Sequence, residues 1–356
     1  MQKVGVVGIG NISKIYLNNL SVMFANRIKL TSVTDIIFDR AEKAAADYNL
    51  KAYKTLDEML KKGETDIILN ITPPKNHYEV ALASLNAGKH VYNEKPVCTR
   101  CEHAAHLLET AAEKGVRVGG APDTFLGAGI QTCRKLIDDG WIGVPVAATA
   151  VMMGHGPESW HPSPEFFYKA GGGPMFDMGP YYITALVNLL GPVVRVSGSA
   201  RISTPVRTIT NASRYGEIIN VEVPTHISGV LDFACGTVGT LITSFDVYSH
   251  SLPRIEIYGT EGTLQVPDPN TFGGPVFVRR FREEEWSKIP LLKSFSDNSR
   301  GLGITDMAEA IEENRPHRAS TELVYHVLDI MHGIHDASAS GKYYKVRSKC
   351  KQPASL

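Results

Sequence analysis

Residues 3–13 read Lys-Val-Gly-Val-Val-Gly-Ile-Gly-Asn-Ile-Ser, and this run most limits the folds open to the chain. Residues 4–7 are a short apolar run, as expected of a strand covered on both faces. The run enters a glycine turn, and residues 12–20 then carry helical spacing. In Gly8-Ile9-Gly10-Asn11-Ile12-Ser13, Gly8 permits the tight turn. Gly10 lets backbone N–H groups approach a pyrophosphate, and the helix N-terminus favours its negative charge. The third small position is Ser13, where a small residue serves helix–strand packing. A strand, a glycine turn and a helix in this order predict the start of a parallel, doubly wound nucleotide-binding sheet.

The next hundred residues keep that rhythm. Strands are expected at 30–34, 67–71, 90–93 and 116–119. Helices are expected at 41–48, 56–62, 77–87 and 101–114. From about residue 122 the pattern changes. A helix at 131–139 stops at Gly140, a strand-like run covers 144–153, and residues 154–174 form a loop rich in Gly, Pro, His and aromatics. A helix covers 181–190. Strands separated by turns follow at 193–202, 218–233, 237–247, 254–258, 263–266 and 276–280, then helices at 304–314 and 321–340. The expected fold is α/β. Residues 1–121 form a Rossmann domain. Residues 122–345 form an α+β domain with a large, mostly antiparallel sheet. Residues 346–356 are a short tail.

The 356 residues carry 37 basic and 37 acidic side chains, so nothing in the charge points to nucleic acid or an anionic membrane. No apolar run reaches the roughly 18 residues of a membrane span. Five scattered cysteines do not suggest a disulfide framework. With a first strand so close to Met1, these features lead to a cytoplasmic expectation. Cys98-Thr-Arg-Cys101 has redox or zinc spacing, but no second pair lies near it and it reads as a helix start; no metal is expected.

Asp35 ends the second strand. A carboxylate there can accept hydrogen bonds from an adenosine ribose and repel a 2′-phosphate, which favours NAD over NADP, although Arg40 is near enough to blur the choice. Thr72, Pro73, Asn76 and His77 follow the 67–71 strand and face the same crevice as candidate nucleotide contacts. Asn76 reads equally well as the N-cap of the next helix. In Tyr92-Asn-Glu94-Lys95-Pro96, a lysine follows a strand and is locked by a proline. An alcohol being oxidised must lose a proton as its hydride leaves, so a base is needed beside the cofactor. Lys95 can serve if desolvation and a positive nicotinamide ring depress its pKa. Glu94 is its neighbour and a further candidate contact.

The second chemical block is Gly171-Gly-Gly-Pro-Met-Phe-Asp177-Met-Gly179-Pro-Tyr181-Tyr182. Asp177 and Tyr181 are four apart and share a face if the segment is helical. Either a helix begins near Asp177 with Pro180 in its first turn, or Pro180 lies within a helix begun at Pro174. The glycines let the backbone approach something closely, such as a ligand. The loop His155-Gly-Pro-Glu158-Ser-Trp160-His161 offers an aromatic platform and polar groups suited to a sugar, with Trp160 and His161 as candidate contacts.

Together these motifs resemble the Gfo/Idh/MocA oxidoreductases. The glycine turn, Gly88-Lys-His-Val91, Glu94-Lys95-Pro96 and the Gly-Gly-Gly…Asp177-x-Gly179-x-Tyr181 block occur in the family's order, and the resemblance spans residues 4–346. It implies a hydride transfer between NAD or NADP and a sugar, glycoside or polyol hydroxyl. It also implies a homodimer or homotetramer built on the C-terminal sheet. The family lysine maps to Lys95 and its aspartate to Asp177. Tyr181 stands where the inositol dehydrogenase branch has a histidine, which is similar to the glucose–fructose oxidoreductase branch, where the tyrosine is the acid/base. At Ala121-Pro122-Asp123 many members carry an aromatic–Arg pair; Asp123 reverses that charge and is a candidate substrate contact. The competing readings are an NADPH-preferring reductase of a keto-sugar or dicarbonyl, and a non-catalytic NAD-binding regulator.

Overall fold

The computed structural model describes residues 1–356. In chain order the first elements are β1 (Gln2–Val7), α1 (Ser13–Ser21), β2 (Ile28–Thr34), α2 (Phe38–Tyr48), β3 (Lys51–Tyr53) and α3 (Leu56–Lys62). Next come β4 (Ile67–Asn70), α4 (His77–Asn86), β5 (His90–Asn93), α5 (Cys101–Lys114) and β6 (Val118–Gly120). These strands form one parallel six-stranded sheet in the order β3-β2-β1-β4-β5-β6. The expected doubly wound sheet is present. β3 was not anticipated, because three residues with an exposed lysine carry no strand pattern of their own.

Then follow α6 (Ala128–Asp138), β7 (Pro145–Met153), α7 (Gly173–Leu190), β8 (Val193–Arg201), β9 (Val206–Thr208) and β10 (Ile218–Asn220). β11 (His226–Phe233), β12 (Val238–Ser244), β13 (Ile255–Gly259), β14 (Gly262–Val266), β15 (Val276–Arg280) and β16 (Ser287–Ile289) complete most of the second sheet. α8 (Leu302–Glu312), α9 (Thr321–Ser340) and β17 (Tyr344–Lys345) close the chain. Nine strands run β16-β15-β14-β13-β7-β12-β11-β8-β17, and β9 pairs with β10 in a separate ribbon. Every pairing in the large sheet is antiparallel except β7 with β12.

The division of the chain differs from expectation at one place. The first compact unit takes residues 1–126 and also 297–328, whereas the second takes 127–296 and 329–356. α8 therefore belongs with the nucleotide sheet, tied there by the side chain of Asn19, which donates to the carbonyls of Asn298 (2.8 Å) and Arg300 (2.9 Å). The 346–356 tail is also held fast. Buried Asp329 accepts from the Arg347 and Ser348 amides, both at 2.7 Å, and Arg134 donates to the Pro353 carbonyl at 3.0 Å.

Within the second unit, β11 alternates without a break, burying Ile227, Leu231 and Phe233. Gly229 pairs with Gly198 of β8, and a side chain at either would meet Ile334 of α9, at 3.3 and 2.6 Å. The two glycines make the groove in which that helix packs. The single strand expected over 218–233 is two, β10 and β11, separated by a segment containing Pro224, which has no N–H for a ladder.

Candidate active site

In a sheet ordered this way the connections reverse between β1 and β4, and ligands bind outside the carboxyl ends of the strands at that point. Gly8 turns the chain there with φ +97°, and a Cβ would sit 2.9 Å from the Thr72 amide nitrogen. Any larger residue would push the turn away from the end of β4. A Cβ on Gly10 would meet nothing within 4 Å. Gly10 and Asn11 are exposed, and no side chain caps the start of α1 at Ile12, nor is there an acid in its first turn. The free N–H groups and the helix dipole fit a pyrophosphate. Ser13 is buried, and its hydroxyl donates to the Gly10 carbonyl at 2.6 Å, holding the turn.

The Asp35 carboxylate accepts from the Ile9 amide at 2.6 Å and the Ile37 amide at 2.7 Å, joining the end of β2 to the glycine turn. Each oxygen keeps a lone pair for a further donor. Ile36 beside it is fully exposed.

Behind the crevice lies a polar brace that motif reading missed. Asn70 and Asn93 end β4 and β5 in register, and both are fully buried. Asn70 donates to Asn93 Oδ1 at 2.9 Å and to the His77 carbonyl at 3.1 Å, and it accepts from the Thr72 hydroxyl at 2.7 Å. Asn93 donates to the Val97 carbonyl at 2.8 Å. The pair thus fixes the loops after both strands. The signal was present in the sequence: two strands each ending in asparagine where an apolar residue would bury more easily.

His77 is part of that brace and is corrected as a cofactor contact. It is fully buried, and its ring nitrogens lie 2.7 Å from the carbonyls of Pro96 and Thr72. A ring donating to both must be cationic, yet burial lowers its pKa, so the two effects oppose each other. Thr72 is half-buried, while Pro73 and Asn76 are exposed at the crevice. Asn76 occupies the N-cap of α4, with no side-chain capping bond. Glu94 accepts from the Tyr16 hydroxyl and from the Lys95 amide, both at 2.7 Å. It thereby fixes the backbone of Lys95 against α1, and the half-buried Lys95 is followed by a cis bond to Pro96.

Asp123 is likewise corrected as a substrate contact. It is 1 % exposed, and one carboxylate oxygen accepts from the Gly301 and Gly303 amides at 2.9 and 3.0 Å, capping α8. Burial pushes its pKa up to about 6. Cys98 is also buried, with its thiol raised to about 12 by desolvation, and it donates to the Arg100 carbonyl. Neither property suits a reactive thiolate.

In the second unit α7 begins at Gly173 and contains Pro180, so Asp177 and Tyr181 lie one helical turn apart on one face. Asp177 is half-buried and Tyr181 is 7 % exposed. The glycines before them approach protein rather than requiring a ligand. A Cβ on Gly172 would lie 2.5 Å from the Phe166 carbonyl, and one on Gly173 would lie 3.0 Å from that of Pro224, with φ +84°. Gly179 packs beside Met331 of α9.

Trp160 is 66 % exposed and meets His161 edge to face, with ring centroids 5.4 Å apart. His161 in turn meets Phe166 and Phe167, each at 5.2 Å. The loop between β9 and β10 fixes this aromatic group. Asn211 donates to the His161 carbonyl at 2.9 Å, and Arg214 pairs with Glu165. Below the loop, buried Arg207 pairs with Glu158 and with Asp246 at 2.8 Å. These anchors come from residues 207–217, a stretch whose sequence has no recognisable motif. No group of three or more His, Cys, Asp or Glu side chains is placed to hold a metal, and no helix is long and apolar enough to cross a membrane.

Comparison with known proteins agrees with this architecture. The signature of an oxidoreductase family with an NAD-binding Rossmann fold, Gfo/Idh/MocA, matches residues 2–121, and that of the Gfo/Idh/MocA C-terminal domain matches residues 130–265. The chain is 26% identical over 307 residues to inositol 2-dehydrogenase 3 of Saccharopolyspora erythraea, covering 80% of each chain. It is 26% identical over 267 residues to D-glucoside 3-dehydrogenase of Escherichia coli, covering 72% of this chain and 74% of that one. A levoglucosan dehydrogenase solved with NADH and L-sorbose has the same fold at a TM-score of 0.83, with 18% identity over 98% of this chain and 99% of that one. The glycine turn, the strand order and the two matched domains make this chain a member of the Gfo/Idh/MocA family of NAD-binding oxidoreductases.

Proposed function

We propose that the protein transfers a hydride between NAD and a hydroxyl carbon of a sugar, glycoside or polyol. The observation that carries this reading is the uncapped start of α1 at an open Gly10, with Asp35 beside the same turn. Those groups suit a dinucleotide with an unmodified ribose, and exposed Ile36 offers an apolar face to the adenine. Relatives named for inositol, glucoside and levoglucosan oxidation support the substrate class. NAD supplies the hydride acceptor. Lys95 and Tyr181 share removal of the alcohol proton, and Asp177 orients them or the substrate hydroxyl. Tyr181 takes the place of the histidine of the inositol branch. Trp160 and His161 bind the sugar.

NADH formation over a panel of myo-inositol, methyl glucosides, levoglucosan and free hexoses tests the activity. Bound NAD with no turnover on any of them would favour a regulator. Calorimetry tests the cofactor: NAD binds more tightly than NADP, and Asp35→Ser narrows the gap by removing repulsion of the 2′-phosphate. Tighter NADP binding by the unaltered protein would sink the assignment.

The outer face of β11 and β12 carries Val230 and Ile242, half-buried, with Val238 and Thr240 exposed. We expect a homodimer or homotetramer that covers this face. A monomer by light scattering at micromolar concentration would refute it. Five free cysteines suit a reducing compartment, and the cytoplasm is the one proposed.

A further inference from the structure

We infer that the cleft between the 155–159 loop and β9 is a subsite for one neutral sugar ring, so that the substrate extends beyond the ring being oxidised. This rests on the sugar-hydroxyl reading above. The cleft has a volume of about 330 Å³ and lies wholly within the second unit. That is at the small end of the range of ligand pockets, roughly 300–1,000 Å³.

The floor decides the charge of the occupant. Arg207 is 8 % exposed and already donates to Glu158, to Asp246, and to the carbonyls of His155 (2.7 Å) and Phe245 (3.0 Å). Four of the roughly five N–H groups of a guanidinium are thus committed. Glu158 in the lining and Asp246 outside it both pair with this one guanidinium, so its charge is already met and it gives no pull on a phosphate or carboxylate.

The walls decide its chemistry. Ser159, Thr204, Thr208 and Thr210 line the cleft and are exposed, and none of their hydroxyls bonds to another protein group. A hydroxyl both donates and accepts, which matches the hydroxyls of a neutral sugar. Val206, 43 % exposed, gives an apolar patch for the C–H face of a ring. His155 lines the cleft and stacks on Tyr248 at 3.7 Å between centroids, so one wall is held by an aromatic pair. Ser159 directly precedes Trp160, which brings the cleft and the aromatic platform onto one loop.

The test uses the whole protein with NAD. Cellobiose, maltose and trehalose are compared with glucose and glucose 6-phosphate by ligand-observed NMR titration and by NADH formation. At least one disaccharide should bind more tightly than glucose. The double variant Thr204→Val/Thr208→Val should weaken that disaccharide about ten-fold or more, as for two lost hydrogen bonds, and leave glucose unchanged. If the double variant does not fold, Val206→Arg, which fills the cleft from an exposed position, should have the same selective effect. No gain of any disaccharide over glucose would overturn the subsite, as would equal weakening of both, or a preference for glucose 6-phosphate lost in the variant. Disaccharide binding lost in the variants, with no NADH formed from any sugar, would keep the subsite and remove the oxidation reading. Turnover of single-ring sugars alone, unchanged in the variants, would do the reverse.

Discussion

Lys95→Ala is expected to lower kcat on a good substrate by on the order of 10²–10⁴-fold, the loss that follows removal of a general base. The alcohol proton must go to a side chain as the hydride departs, and Lys95 and Tyr181 are the two candidates for that step. Tyr181→Phe should therefore fall in the same range. The double variant should be little worse than the worse single, because groups acting in one step are not additive. NAD affinity should survive Tyr181→Phe, since the glycine turn and Asp35 proposed for the nucleotide lie in the other unit. Single-turnover kinetics with calorimetry for NAD separate these effects. If Tyr181→Phe retains near-normal turnover while Lys95→Ala abolishes it, the tyrosine is packing and Lys95 works with Asp177 or His161.

The first sheet was legible because each of its devices is local. A strand buried on both faces, a glycine turn and a helix announce themselves within eleven residues, and the same rhythm repeats. The shared face of Asp177 and Tyr181 was legible for the same reason, since their spacing of four needs only the one helix that holds both. What escaped was set by neighbours outside the motif itself. Asp123 looked like a substrate contact because nothing near it in sequence says that Gly301 and Gly303 will return to meet it. His77 looked available until two carbonyls from separate segments enclosed it. The Asn70–Asn93 brace needed the register of two strands. Gly171–Gly173 read as ligand-facing because a glycine run specifies close approach without naming the neighbour, and the neighbours of Gly172 and Gly173 are protein carbonyls. The return of residues 297–328 to the first unit has no local sign at all.

Asp123 supplies the second large effect, and its sign runs opposite to that of most capping carboxylates. Burial raises its native pKa from 3.8 to about 6, outweighing the two amides it accepts from. Below about pH 4 the group is protonated in both the folded and unfolded chains, and its contribution to stability is at its fullest. As pH rises toward 6 the unfolded chain releases the proton while the native one retains it, so stability falls, and it levels off above the native pKa. A shift of about two units corresponds to roughly 3 kcal/mol across that window. Asp123→Asn keeps an oxygen for Gly301 and Gly303 but carries no charge to desolvate. It should match the unaltered protein near pH 4 and exceed it by roughly 2–3 kcal/mol at pH 8. Asp123→Ala leaves both amides without an acceptor and should be less stable than Asp123→Asn at every pH, by about 1–3 kcal/mol. Urea unfolding of the three proteins at pH 4, 6 and 8 distinguishes these outcomes. A gap between the aspartate and asparagine forms that stays constant with pH would mean that the cap is ionised throughout, its two amide bonds outweighing the cost of burial.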